Sequence, residues 1–143
     1  MQLKEIMTLD VTVIRPDLPL QTAAETMKTL DVGLLPVCDG DQLVGMLTDR
    51  DITVRAVAEG RDASKTPVRD VMTPEIIYCF EDQEVREAAE LMEEWQIRRL
   101  PILNRDKQLV GIVSLGDLAV YTGDEQLAGQ TLEGVSEPTG IRK

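Results

Sequence analysis

Apolar residues recur along this chain with two different periods. Leu20, Ala23, Ala24 and Met27 run i, i+3, i+4, i+7, and so do Val85, Ala88, Ala89 and Met92. That spacing puts each set on one face of a helix and predicts two amphipathic helices. The first opens at Asp17-Leu18-Pro19 and runs to about Leu30. Shorter apolar runs have strand character: Val11 to Ile14, Gly33 to Cys38 and Leu43 to Leu47. Asp39-Gly40 supplies the chemistry of a tight hairpin turn between the last two. A further helix is predicted from Asp51 to Glu59.

The pattern occurs twice. Ile6-Met7-Thr8 returns as Val71-Met72-Thr73, and Leu35-Pro36-Val37 as Leu100-Pro101-Ile102. After one inserted residue, Lys107, Leu43-Val44-Gly45 returns as Leu109-Val110-Gly111. So many matches in register mark a tandem duplication. Each repeat reads strand, helix, strand, strand, helix, which predicts an α/β (α+β) fold of two pseudo-twofold-related β-α-β-β-α units packed as one module. The repeats span residues 5–60 and 70–121, the polar residues 61–69 link them, and residues 122–143 form a tail. Neither half alone offers a convincing core. Within the tail, Thr122-x-x-Glu125 has the form of a capping box opening a short helix, with Leu127, Leu132 and Val135 on one side. From Ser136 onward the tail reads as loose.

Composition narrows the chemistry. The 143 residues include 26 acidic and 15 basic side chains and no histidine, for a net charge of -11. Without His there is no Ser-His-Asp triad, no Cys-His dyad and no imidazole metal ligand. So acidic a chain does not suit a nucleic-acid binder, which must offset phosphate charge with clustered Lys and Arg. Cys38 and Cys79 are too few for a zinc site or a disulfide scaffold and read as buried reduced thiols of a cytoplasmic protein. No stretch approaches the ~20 apolar residues of a membrane span. The acidic run Glu87, Glu90, Glu93 and Glu94 reads as a solvated helix face, and Trp95 as a packing anchor. No metal site is expected.

One junction carries chemistry in both repeats: Gly, two apolar residues, Thr or Ser, two further residues, then Asp. It places Thr48 with Asp51 and Ser114 with Asp117. These residues suit two ends. A hydroxyl followed three positions later by a carboxylate is a capping box for the next helix. The same hydroxyl and carboxylate can also hold a phosphate and a ribose diol.

Here the sequence resembles a known family. Through GMLTDRDI (Gly45–Ile52), QIRRLPI (Gln96–Ile102) and LVGIVSLGDLAV (Leu109–Val120), it is similar to tandem cystathionine β-synthase (CBS) domain pairs, or Bateman modules, and above all to small stand-alone bacterial ones. The resemblance covers Glu5 to about Val120. It implies two clefts between the repeats that bind adenosine nucleotides, and a homodimer. Matched position by position, it implies ribose binding by Asp51 and Asp117, and ribose or phosphate contact by Thr48 and Ser114. Adenine would enter beside Thr12, Val13 and Ile14 in one repeat and Ile77, Tyr78 and Cys79 in the other. Pro36 and Val37, or Pro101 and Ile102, would form its second wall. Arg98 and Arg99 occupy positions from which the family reaches phosphate, and Arg50 is a further phosphate candidate. Repeat one has Gly33 and Leu34 where repeat two has the arginines, so the clefts are expected to differ. The implied ligand is AMP, ADP or ATP, with NAD(H) and S-adenosylmethionine as further possibilities, and no cofactor is required. The implied role is a non-catalytic regulatory module that signals to an effector protein in trans. The alternative is a ligand-free module for structure or dimerisation.

Overall fold

The computed structural model describes residues 1–137; Ser136, where the tail was expected to turn loose, is still helical, and the residues from Pro138 lie outside the described residues. Two compact units emerge. One is Thr12–Ile76; the other combines Met1–Val11 with the described residues from Ile77 onward. Each has its own buried apolar cluster, and each cluster draws on the leading segment of the other sequence repeat: Val68 and Val71 in one, Leu3 and Ile6 in the other.

In the unit of residues 12–76, helix α1 (Leu20–Leu30) buries Leu20, Ala23 and Met27, three of the four residues in its apolar stripe. Strands β1 (Leu34–Asp39) and β2 (Gln42–Thr48) pair antiparallel, and the hairpin turns through Gly40 at φ +61 and Asp41. Val11–Ile14 does not form the expected strand. Only Ile14 bridges, parallel to Val37, with Ile14 N–H donating to Pro36 O and Cys38 N–H donating to Ile14 O. Helix α2 (Asp49–Ile52) starts two residues earlier than expected, then widens to a π turn over Thr53–Val57.

The other unit repeats the plan with more sheet. Strand β3 (Cys79–Phe80) lies parallel to β4 (Arg99–Leu103), which pairs antiparallel with β5 (Leu109–Ser114). Helix α3 (Val85–Trp95) buries all four stripe residues, Val85, Ala88, Ala89 and Met92. Helix α4 (Leu115–Tyr121) follows β5, and the turn before β5 carries Lys107 at φ +63, which accommodates the inserted residue.

A swap of leading segments explains why the spatial units cut across the repeats. Neither α1 nor α3 has a side-chain N-cap hydrogen bond. Their first N–H groups need acceptors from elsewhere, since no intrahelical carbonyl reaches them. The leader of repeat two supplies them for α1: Leu20 N–H donates to Thr66 O and Gln21 N–H to Ala63 O. The leader of repeat one does the same for α3, where Val85 N–H donates to Met1 O. In return, Val68 N–H donates to Leu18 O, and Leu3 N–H to Gln83 O. The polar residues 61–69 are therefore a structural strap on α1.

The tail also differs from expectation. Helix α5 (Glu125–Ser136) is capped by Asp124, whose Oδ1 accepts from Leu127 N–H at 2.9 Å. Thr122 does not cap it; its hydroxyl donates back to Leu118 O at the end of α4. The buried stripe of α5 is Leu127, Thr131 and Val135, with Leu132 46% exposed. Gln96, at the end of α3 with φ +53, holds the far end of α5 by donating from Nε2 to Gly134 O and Glu137 O. Glu93 is half-buried against Gly134, unlike the solvated Glu87, Glu90 and Glu94, and Trp95, expected as a packing anchor, is 50% exposed. Among the described residues, no helix is long and apolar enough to cross a membrane.

Both thiols are buried. Burial raises the Cys79 pKa to about 11, with Glu87 adding to the shift, and raises Cys38 as well, helped by Asp41. Folded protein should therefore resist dithiobis(nitrobenzoate) at pH 8, with both thiols reacting only on unfolding. A raised folded pKa means that the native state keeps a proton the unfolded chain releases. The Cys79 contribution to stability is thus full below the ordinary value of 9.0 and lost as pH rises towards 11, which denaturant titrations across that window will show.

Candidate functional site

The strand-to-helix junction forms the same hydrogen-bonded box in both units. Thr48 N–H donates to Asp51 Oδ2 at 3.0 Å, and Asp51 N–H donates to Thr48 Oγ1 at 3.0 Å. In the other unit Ser114 N–H donates to Asp117 Oδ2 at 2.8 Å, and Asp117 N–H donates to Ser114 Oγ at 3.0 Å. Each reciprocal pair satisfies two N–H groups that the start of a helix leaves without partners. The capping function of these residues is therefore met in full. Whether each carboxylate has capacity left depends on what else surrounds it.

The two surroundings differ. Asp51 is 8% exposed and also accepts from the Thr73 hydroxyl, at 3.2 Å to Oδ1 and 3.4 Å to Oδ2. Arg55 comes within 3.9 Å of Oδ1 and donates to Val71 O and Met72 O, so Asp51 belongs to a clamp on the strap of repeat two. Asp117 is half-buried, and among the described residues its carboxylate serves only the capping box. At the positions matching Thr73 and Arg55 stand Thr8, exposed and with no hydrogen bond to Asp117, and Tyr121, which cannot form an ion pair. A carboxylate has about four lone-pair sites. Asp117 thus keeps acceptor capacity for two hydroxyls, while that of Asp51 is largely used.

Beside Ser114 runs an open groove of about 490 Å³, lined by Arg98, Arg99 and Ser114, by residues of α4 including Gly116, and by Ala128, Gly129 and Leu132 of α5; Asp117 and the residues expected around adenine are not among its lining. Arg98 and Arg99 are exposed and, like Arg50, Arg69 and Arg86, have no ion-pair partner among the described residues, whereas Arg15, Arg55, Arg61 and Arg105 each face a carboxylate; Arg98 and Arg99 are adjacent and line the groove. Leaving two adjacent guanidinium groups unpaired in a chain of net charge -11 keeps a local positive patch. The groove's volume falls within the roughly 300–1,000 Å³ of small-molecule pockets.

The remaining residues singled out from the sequence divide by burial. The side chains of Ile14, Val37, Cys79 and Ile102 belong to the apolar clusters, so what they can offer a ligand is backbone. Thr12 and Val13 are exposed, Pro36 and Pro101 are buried in β1 and β4, and Ile77 and Tyr78 are half-buried ahead of β3. Arg50 is exposed on α2. The groove wall from α5, Ala128, Gly129 and Leu132, escaped sequence reasoning because small residues carry no chemical signal until a helix places them beside charge. Among the described residues, no three Cys, Asp or Glu side chains converge as metal ligands would.

Comparisons with known proteins agree with this architecture. The model of the CBS domain matches residues 3–57 and 68–123. The CBS domain-containing protein YhcV of Bacillus subtilis is 44% identical over 133 residues, 93% of this chain and 94% of that protein. Hypoxic response protein 1 of Mycobacterium tuberculosis is 33% identical over 139 residues, 96% of each chain. A crystal structure of Hypoxic Response Protein I with two coordinated zinc ions superposes with a TM-score of 0.76 at 37% identity, covering 83% of this chain and 97% of that one. The CBS domain pair of protein MJ0100, solved in complex with 5′-methylthioadenosine and S-adenosyl-L-methionine, superposes with a TM-score of 0.74 at 26% identity, covering 86% and 96%. The chain belongs to the CBS domain family and carries two copies of that domain in tandem.

Proposed function

We propose that this protein is a non-catalytic regulatory module that binds an adenosine nucleotide and signals to a partner in trans. The observation that carries this reading is the unpaired pair Arg98 and Arg99 beside Ser114, on the groove of the unit whose ribose-type carboxylate, Asp117, keeps free acceptor capacity. Asp117 would accept from the ribose diol, Ser114 and the arginines would meet phosphate, and backbone groups near Ile77–Cys79 and Pro101-Ile102 would read the base. That a family member, the MJ0100 pair, is solved with adenosine derivatives supports the ligand class. Charge then favours AMP, ADP or ATP over S-adenosylmethionine here, since a sulfonium placed near two guanidinium groups is repelled.

Signalling follows as a population shift: a nucleotide that binds one conformation more tightly than another moves the equilibrium by its differential affinity, and a partner reads the result. The unit of residues 12–76 favours a second reading, a ligand-free structural or dimerisation role, because Asp51 is bound into the Thr73 and Arg55 clamp. Thermal denaturation separates the readings. A ligand at 100 times its dissociation constant adds about 2.7 kcal/mol, roughly 5–10 °C for a chain of this size. AMP, ADP or ATP is expected to give that rise and S-adenosylmethionine less. A melting point unmoved by all of them and by NAD(H) would leave only the structural role.

A further inference from the structure

Helix α5 lies outside the residues matched to the CBS domain, which end at 123, yet it lines the groove with Ala128, Gly129 and Leu132. Its two neighbouring faces do different work. Leu127, Thr131 and Val135 are buried, and Gln96 ties the C-terminal end through Gly134 O and Glu137 O, so the helix is anchored without using its groove face. That face, Ala128, Gly129 and Leu132, bears no charge and no polar side chain. Gly129 is notable: a Cβ built there meets nothing within 4 Å, while one at Gly134 would run into the Glu93 side chain at 2.6 Å. Gly134 is therefore glycine for helix packing, whereas packing gives no reason for the glycine at 129. A glycine inside a helix is destabilising relative to alanine. Leu132 is a large apolar side chain that lines the groove with 46% of its surface in water.

We infer that α5 is the specificity wall of the ligand groove: Gly129 sets how large a ligand the groove admits, and Leu132 covers the ligand's apolar face. Arg98 and Arg99 hold its anionic end. This assignment rests on the nucleotide reading above and adds to it. It gives the site an element from outside the duplicated fold, so occupancy is felt directly by the C-terminal helix, the part of the site through which a partner in trans could be told of binding.

The test combines affinity with hydrogen exchange, using AMP and ATP as probes on the full chain. Gly129→Ala and Gly129→Leu should melt no lower than the parent, since both improve helix propensity and the site is open. Affinity for AMP and ATP should fall in steps, modestly for Gly129→Ala and at least tenfold for Gly129→Leu. In the parent, both nucleotides should slow amide exchange across Glu125–Ser136, and in Gly129→Leu that protection should vanish at the same nucleotide concentration. Parent-like affinity in Gly129→Leu, or nucleotide binding that leaves exchange in α5 unchanged, would overturn the role of α5 while leaving the nucleotide reading standing. A parent chain that binds neither AMP nor ATP would remove both.

Discussion

Gly111→Val is expected to lower the melting temperature by roughly 10 °C, and Gly45→Val to do the same in the other unit. The reason lies in how each leading segment docks. A Cβ at Gly111 would sit 2.8 Å from Met7 Sδ and 2.8 Å from Thr8 O; at Gly45 it would sit 2.7 Å from Met72 Sδ and 2.9 Å from Thr73 O. A methionine tip can swing away, but the backbone oxygens cannot. They belong to bridges in which Thr8 pairs with Ile112 and Met46 with Thr73, each closed by two N–H···O bonds. Valine must therefore lift the leader off the hairpin, breaking those bonds and exposing neighbours such as Ile6 or Val71. Overpacking of this kind costs about 1–3 kcal/mol, and loss of the bridge places it at the upper end. Calorimetry of the two variants decides the matter. Gly129→Leu is the control, since the same kind of substitution at a helical glycine facing open space should not destabilise.

The second large effect is a split between the two aspartates that sequence alone makes equivalent. Asp51→Ala should cost about 2–3 kcal/mol and Asp117→Ala about 1 kcal/mol, because each loses a capping box but only Asp51→Ala also strands the Thr73 hydroxyl and removes the carboxylate facing Arg55. Ligand binding should divide the other way. Asp117→Ala is expected to abolish the thermal shift produced by AMP while the free protein remains folded. Asp51→Ala should keep that shift on a lower baseline. Chemical denaturation of both variants, with and without AMP, measures both halves of the claim. Equal destabilisation would mean that the Thr73 and Arg55 contacts contribute nothing, and an AMP shift retained in Asp117→Ala would move the ribose contact elsewhere.

Much of the fold was legible in the sequence because it is written in local pattern. The stripes of α1 and α3 follow from 3.6-residue periodicity, and the stripe of α3 is buried in full. Both hairpins follow from apolar runs flanking turn residues, and the extra residue Lys107 takes up a left-handed backbone in the longer turn. Both capping boxes follow from a hydroxyl and a carboxylate three positions apart. What failed locally also has a cause. Val11–Ile14 has β-branched residues, yet only Ile14 meets a neighbouring strand, since propensity cannot form a ladder without a partner. Thr122 lost the cap of α5 to Asp124 because the helix begins at Glu125, which makes Asp124 the N-cap residue, while the Thr122 hydroxyl accepts from Asp124 N–H instead.

The candidate site was legible in part. Thr48, Asp51, Ser114, Asp117, Arg98 and Arg99 were visible because repetition makes a matched pair, and a departure from it, stand out. The arginines already set the two sites apart, but the inequality of the two aspartates was not legible, for it depends on Thr73 meeting Asp51 across 22 positions of sequence while Thr8 makes no hydrogen bond to Asp117. By itself, then, the sequence determined the duplication, the element types, the capped junctions and the absence of histidine chemistry, all of which are set by neighbours within a few residues. Only the tertiary structure decided which leader caps which helix, which aspartate is occupied and which face of α5 meets the arginines. Those outcomes turn on unsatisfied backbone groups and side chains finding partners far along the chain, and periodicity holds no record of distant partners.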